Sequence, residues 1–269
     1  MTRFDTDTAV ELIGPGRYRC RIDEGWWAGA GPNGGYVGAI LLRALEHAVD
    51  DPERICRSFT VHYLARPSAG PAEVVVTIER SGRSLTSVSA RLSQGDRALA
   101  IAVAAMSRPR PGPEFCDVEM PDVVPPEDAG VGPFSGAVPR SAVPTLADRF
   151  EYRRVIGPEP FAGAAEAVTG GWIRLTEPRP VDSSLLVACV DAWMPAMFGR
   201  FSGPWGMTTV DLTVHVRSLP PAGYDDWCLV RFRSDVSADG FCEEDGEVWT
   251  RDGQLLAQSR QLAALIALR

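Results

Sequence analysis

The chain has no lysine: all 27 of its basic side chains are arginine. A Walker phosphate loop, which needs a lysine to reach the phosphates, is therefore excluded. Histidine is nearly as scarce. His47, His62 and His215 are the only three, and none pairs at HxxxH or HExxH spacing, so no metal site is expected. The GxSxG turn that exposes the nucleophile of an α/β-hydrolase is missing as well. Six cysteines (Cys20, Cys56, Cys116, Cys189, Cys228, Cys242) lack CxxC spacing and read as reduced, buried thiols. No stretch approaches the ~18 apolar residues of a membrane span, and no basic start followed by an apolar run opens the chain. The expectation is a cytoplasmic protein with no membrane partner. Clusters of positive charge are absent too. A net charge of -8 and a pI near 5.0 argue against a nucleic-acid partner.

What remains is ordinary globular composition, 45% hydrophobic and 23% charged, in 269 residues. That length suffices for two cores. A long repeat points the same way. Phe59-Thr60-Val61-His62 recurs as Leu212-Thr213-Val214-His215, and Ala69-Gly70 recurs at the same offset as Ala222-Gly223. Arg97-Ala98-Leu99-Ala100 finds its partner in Gln254-Leu255-Leu256-Ala257 after a small insertion. A period this long marks two domain-sized units, since solenoid repeats are much shorter. Between the copies, from Pro109 to Pro144, runs a proline- and glycine-rich stretch without apolar periodicity, which reads as a connector. The expected division is residues 1–108, a connector over 109–148, and residues 149–269.

In the first unit the pattern predicts a strand over 16–27, a helix over 34–48 and strands over 57–66, 72–81, 84–93 and 97–107. The second is predicted to hold one or two strands over 163–176, a helix over 184–198 and strands over 207–217, 226–235, 240–250 and 254–267. Val37, Ile40, Leu41, Ala44, Leu45 and Ala48 form one stripe of the first helix, and Leu186, Val190, Trp193 and Met197 one stripe of the second. A central helix followed by a meander of long antiparallel strands that can wrap it is the hot-dog architecture. The expected fold class is α+β, a double hot-dog.

A GxGxxG match at Gly29, Gly31 and Gly34 carries little weight, because a meander follows the helix where dinucleotide binding needs a βαβ unit. Three other polar residues stand where apolar ones are expected. Asp191 has Val187, Val190, Ala192 and Met194 as its helical neighbours. It reads either as a desolvated general base or as a buried aspartate that caps a backbone amide. Gln261 falls on the inward alternation of Leu255, Ala257, Ser259, Ala263 and Leu265; it is either a functional amide or a core glutamine satisfied by backbone. Thr209 opens the strand TTVDLTVHV and reads, taken alone, as a β-favouring residue. His62 and His215 hold equivalent strand positions and are read as structural.

The helix with VACVDAWMP, the strand MTTVDLTVHVRSLP and the closing strand LLAQSRQLA resemble, in order and spacing, the second half of the acyl-CoA thioesterase II family of double hot-dog enzymes. In that family an aspartate, a threonine and a glutamine hold the attacking water, and the resemblance places those roles on Asp191, Thr209 and Gln261. The segment PNGGYVGAILLRAL is similar to the family's glycine-bearing helix start, with Asn33 where a histidine often precedes the glycines. Repeat offsets put Cys56 opposite Thr209 and Ala104 opposite Gln261, so one active site per chain is expected. The resemblance implies hydrolysis of a thioester without a serine or cysteine nucleophile, with amides of Gly34, Gly35 and Tyr36 cradling the carbonyl. It implies an acyl-CoA or acyl thioester substrate, no cofactor beyond the CoA of that substrate, and a homo-oligomer of double hot-dog chains. Trp26-Trp27 reads as packing ahead of the glycine turn, and Arg66 and Arg217 as solvated strand-end arginines. The alternative is a noncatalytic hot-dog protein that binds acyl-CoA or an acyl carrier.

Overall fold

The computed structural model describes residues 1–130, 132, 143–203 and 205–267. Helix α1 (Arg3–Asp7) starts at a capping box formed by Thr2 and Asp5. A hairpin of β1 (Glu11–Gly14) and β2 (Arg17–Ile22) then leads through a 3-10 turn at Glu24–Trp26 into the central helix α2 (Gly34–Val49). The meander follows: β3 (Ile55–Tyr63), β4 (Gly70–Ser81), β5 (Leu85–Gln94) and β6 (Arg97–Ser107). The second half repeats the plan. It comprises β7 (Phe150–Ile156), β8 (Ala167–Leu175), α3 (Ser183–Cys189), α4 (Met197–Arg200), β9 (Trp205–Val216), β10 (Cys228–Ser234), β11 (Ser237–Ala238), β12 (Phe241–Thr250) and β13 (Leu255–Ala267).

All strands join one antiparallel sheet in the order β1-β2-β4-β5-β6-β3-β9-β13-β12-β10-β8-β7, with β11 paired to β12. Every strand before β9 in this order precedes the connector in sequence. The seam is β3 against β9. There Phe59 lies opposite Val214, Thr60 opposite Thr213 and Val61 opposite Leu212, and the two threonine hydroxyls are 3.0 Å apart. Since Leu212 and Val214 are the repeat counterparts of Phe59 and Val61, this register is a local two-fold about the threonine pair. The double hot-dog expectation holds.

Helix α2 buries more than its predicted stripe. Tyr36, Ala39 and Leu42 are as enclosed as Val37, Ile40 and Leu41, because the curved sheet covers one side of the helix and α3 packs on the other. Asp50 ends it in the left-handed region at φ 49°, a conformation that Asp tolerates better than most residues.

Three expectations need correction. The single helix predicted over 184–198 stops at Cys189, and α4 is a separate turn. Pro195 supplies the reason: it has no N–H for a helical bond and disfavours helical backbone at Met194. The amides of Asp191 and Ala192 close tighter bonds, to Ala188 and Cys189. Next, the predicted strand over 16–27 ends at Ile22, and Trp26 turns into the core, stacked on Tyr36 at 5.0 Å. Finally, β7 was not anticipated, because its alternation is diluted by Arg153 and Arg154.

The described part of the connector is packed. Val118, Met120, Val123 and Ala129 lie on a separate cluster of Trp172, Trp227, Leu229 and Trp249, and Trp172 Nε1 donates to the Val124 carbonyl at 2.8 Å. Residues 131 and 133–142 of the connector fall outside the described residues.

Candidate active site

The site begins where two helices cross. Asn33 caps α2, its Oδ1 accepting the Tyr36 N–H at 2.9 Å. Its Nδ2 turns the other way and donates to Asp191 twice, to the main-chain carbonyl at 2.6 Å and to Oδ2 at 2.8 Å. Gly35 N–H donates to the same Oδ2 at 2.8 Å. A side chain on Gly35 could not be accommodated: its Cβ would stand 2.7 Å from the Val187 carbonyl oxygen, 2.9 Å from that of Ala188 and 3.0 Å from Asp191 Cβ. Glycine here lets the start of one helix meet the end of the other.

Asp191 therefore sits at the positive end of α2. Burial of its carboxylate nevertheless outweighs the stabilising amides of Gly35 and Gly34 and the Asn33 side chain, and pushes its pKa up to about 6. The residue as a whole keeps partial solvent contact.

Thr209 and Gln261 come from adjacent strands, and a bulge brings them together. Register along β9 and β13 pairs Leu212 with Gln261 and Asp211 with Leu262, then jumps to Thr209 with Ala263, leaving Val210 as the extra residue. Were Val210 paired in strict alternation, Thr209 would face away from Leu212 and Val214; the bulge takes Val210 out of the count, and Thr209 shares the inward side. Its hydroxyl donates to Gln261 Oε1 at 3.0 Å. Gln261 is buried, as its alternation predicted. Its Nε2 donates to Glu244 Oε1 at 2.8 Å, and Glu244 Oε2 accepts the Ala196 N–H at 2.6 Å. Burial drives the Glu244 pKa up to about 7, against the pull of those two donors, and the Asp191 charge raises it further. The two clusters are thus within electrostatic reach of each other.

One more polar atom faces this space. Tyr63, at the end of β3, holds its hydroxyl buried with no hydrogen-bond partner. Burial, then the charge of Asp191, raises its pKa well above the usual range. A Cβ placed on Gly34 would lie 2.8 Å from Tyr63 Oη and 3.0 Å from Asp191 Oδ2. Glycine at 34 thus lets the unpartnered Tyr63 hydroxyl and the Asp191 carboxylate both close on the start of α2.

Asp191, Gly34 and Gly35 therefore meet directly, and Thr209 and Gln261 form a second bonded pair, extended by Glu244, whose tie to Asp191 is electrostatic. The expected amide cradle is not open to a carbonyl: the Gly34 and Gly35 N–H groups are turned to the Asp191 carboxylate, and Tyr36 departs from it altogether. Its N–H belongs to the Asn33 cap, and its buried hydroxyl donates to the Asp7 carbonyl at 2.8 Å and accepts from Asp23 N at 3.2 Å. It anchors α2 instead. Asn33, Tyr63 and Glu244 were not singled out as site residues from sequence. Tyr63 and Glu244 carried a signal nonetheless: Tyr63 continues the inward alternation of Phe59 and Val61, and Glu244 that of Cys242, Gly246 and Val248.

Residues 23–108 match the family described as the acyl-CoA thioesterase N-terminal domain, and residues 121–265 the acyl-CoA thioesterase C-terminal domain. An uncharacterised protein of Mycobacterium tuberculosis is 26% identical over 285 aligned residues, covering 94% of each chain. Among solved structures, a protein of unknown function with a hot dog fold from Alicyclobacillus acidocaldarius superposes with a TM-score of 0.89 at 26% identity, over 100% of both chains. A putative thioesterase II from Thermobifida fusca superposes at 0.83 with 26% identity, over 99% of this chain and 98% of that one.

Proposed function

The chain belongs to the acyl-CoA thioesterase family, and from that premise we propose that it hydrolyses an acyl-CoA to the free acid and the CoA thiol at the crossing of α2 with the Asp191 turn. The observation that carries this reading is the Asp191 carboxylate, held by Asn33 and Gly35 with its pKa pushed up to about 6, with the unpartnered Tyr63 hydroxyl against the same glycine, Gly34. A general base works best with a pKa close to the operating pH.

In the proposed reaction Asp191 takes a proton from a water oriented by Thr209 and Gln261. The water oxygen bonds to the thioester carbon, and the carbonyl electrons move onto oxygen. Tyr63 O–H, aided by the positive end of α2, donates to that oxyanion. Collapse of the tetrahedral species re-forms the carbonyl and breaks the carbon–sulfur bond, and the proton held by Asp191 passes to the departing thiolate. Water is consumed once, and no covalent enzyme intermediate forms.

The test is thiol release from short-, medium- and long-chain acyl-CoAs, comparing the native protein with folded Asp191→Asn and Gln261→Ala variants. Loss of native activity in both supports the water-activating site and reads out chain-length preference. Native rates in Asp191→Asn would overturn the mechanism.

A further inference from the structure

Glu244 is a carboxylate in a place the hydrolytic reading does not require. It lies on β12 directly opposite Gln261 on β13, turned inward and 4% exposed. Both of its oxygens are engaged, Oε1 by the Gln261 amide and Oε2 by the Ala196 N–H. Such a group is worth explaining, because a buried carboxylate costs stability unless its bonding has a use.

A glutamine amide is symmetric in shape, and a half-turn about its last bond exchanges donor for acceptor. Its neighbours therefore decide which end faces which. An ionised carboxylate only accepts, so Glu244 compels Gln261 to present Nε2 to it. Oε1 is then left toward Thr209, and the threonine hydroxyl must donate into it. That hydrogen is committed, and what Thr209 still offers is lone pairs.

We propose that Glu244 is a positioning residue that fixes the direction of hydrogen bonding through Gln261, so that Thr209 meets the attacking water as an acceptor. A water that donates one hydrogen to Thr209 and the other to Asp191 keeps a lone pair for the thioester carbon. Reversed polarity would make Thr209 donate into that lone pair and blunt the nucleophile. The inference rests on the hydrolytic reading of the site and adds to it the reason for the buried acid.

Glu244→Gln tests this with almost no change in volume. The Ala196 N–H still needs an acceptor, so the new amide turns its oxygen there and its NH2 toward Gln261. Gln261 then flips, and its own NH2 donates to Thr209. At pH 8, kcat for acyl-CoA hydrolysis should fall by roughly 10- to 100-fold, with KM little changed. In a Thr209→Val background, the same change should cost less than about twofold, since no hydroxyl remains to be turned. The exchange Glu244→Gln with Gln261→Glu restores an acceptor toward Thr209 and should recover part of the loss. An equal loss with and without Thr209, or native kcat in Glu244→Gln, would overturn the proposal.

Asp191→Asn belongs in the same panel. If it is inactive while Glu244→Gln keeps native kcat, the positioning role alone falls; if it keeps native activity, both fall together. Should the Glu244 variants fail to fold, native protein labelled with 15N-glutamine gives a readout free of substrate. NOEs from the Gln261 NH2 to Glu244 side-chain protons are expected, and NOEs to the Thr209 methyl in their place would refute the orientation.

Discussion

The two halves carry the same frame with opposite chemistry at matching positions. Counting from the helix caps Asn33 and Asp182, Asp191 corresponds to Leu42. Phe59 pairs with Ala104, which pairs with Val88; the counterpart ladder runs Leu212, Gln261, Glu244. Cys56 takes the place of Thr209, and even the bulge is repeated, with Arg57 skipped in one ladder and Val210 in the other. The exchange also runs the other way. Asn33, Gly34, Gly35 and Tyr63 belong to the first half, and Asp182, Ser183, Ser184 and Val216 stand in their places in the second. Each crossing thus needs both halves, and only one keeps the polar set. A buried polar group without a partner is costly, so where no chemistry is performed apolar replacements are the more stable solution. One relic persists at the other crossing, where Glu46 faces Ser184 at 3.5 Å with burial pushing its pKa up to about 7.

Breaking this contrast at Asp191 has the largest expected effect. Asp191→Asn should lower thiol release by about 1000-fold or more while retaining an oxygen for the Gly35 amide. Stability should move in the opposite sense. The folded-state pKa of about 6 lies above the ordinary 3.8, so the fold favours the protonated acid; stability is lost as pH rises between these values and stays lost above them. At pH 8 the variant should gain up to about 3 kcal/mol over the native protein, read from urea unfolding, and the gain should vanish below pH 4. Equal stability of the two proteins at both pH values would refute the burial argument. The same ionisation predicts that native kcat/KM rises through about pH 6, and the Glu244 carboxyl, whose ionised form orients Gln261, extends the rise through about pH 7 before the profile levels off; a profile flat down to pH 4.5 would remove Asp191 as the base.

A sharper contrast lies between neighbouring glycines. Gly35→Ala drives a methyl into the Val187 and Ala188 carbonyls and should destabilise the fold by about 1–3 kcal/mol, visible as a lower Tm. Gly34→Ala instead pushes on side-chain ends, Tyr63 Oη and Asp191 Oδ2, which can give way. Its expected signature is a smaller loss of stability with hydrolysis reduced more than about tenfold, the worth of one displaced hydrogen-bonded group. If the two variants were indistinguishable, the distinction between crowding a backbone and crowding the site's side chains would be lost. The smallest effect is expected at the seam, where Thr60→Val deletes one part-buried hydrogen bond worth about 1 kcal/mol or less and should leave the rate within about twofold.

Much of this frame was legible in sequence because periodicity reports burial. Val37, Ile40 and Leu41 announced α2, and the alternation through Ala257, Ser259 and Ala263 placed Gln261 indoors. The break after Cys189 was harder to see, since Val190, Trp193 and Met197 continue a helical period across Pro195. Thr209 could be located on a strand but not turned inward, because a bulge obeys partner register rather than local pattern. Glu244 keeps the inward alternation of Cys242 and Gly246 but is masked by its neighbours. Within Glu243-Glu244-Asp245 it reads as one of a run of surface acids, and only the strand opposite reveals its partner. Asn33 stands where a histidine is familiar; its two hydrogen bonds to Asp191 depend on a turn 158 positions away.

The threonine seam between β3 and β9 has a further consequence, for dilution. Two separate subunits sharing such a seam would obey mass action, and a site that borrows its amides from one and its carboxylate from the other would dissolve as they parted. Here the partners are one covalent chain, and such linkage by itself holds them at an effective concentration on the order of millimolar. The crossing therefore stays assembled in a single molecule at any protein concentration, and activity per molecule should be independent of how many copies a cell contains.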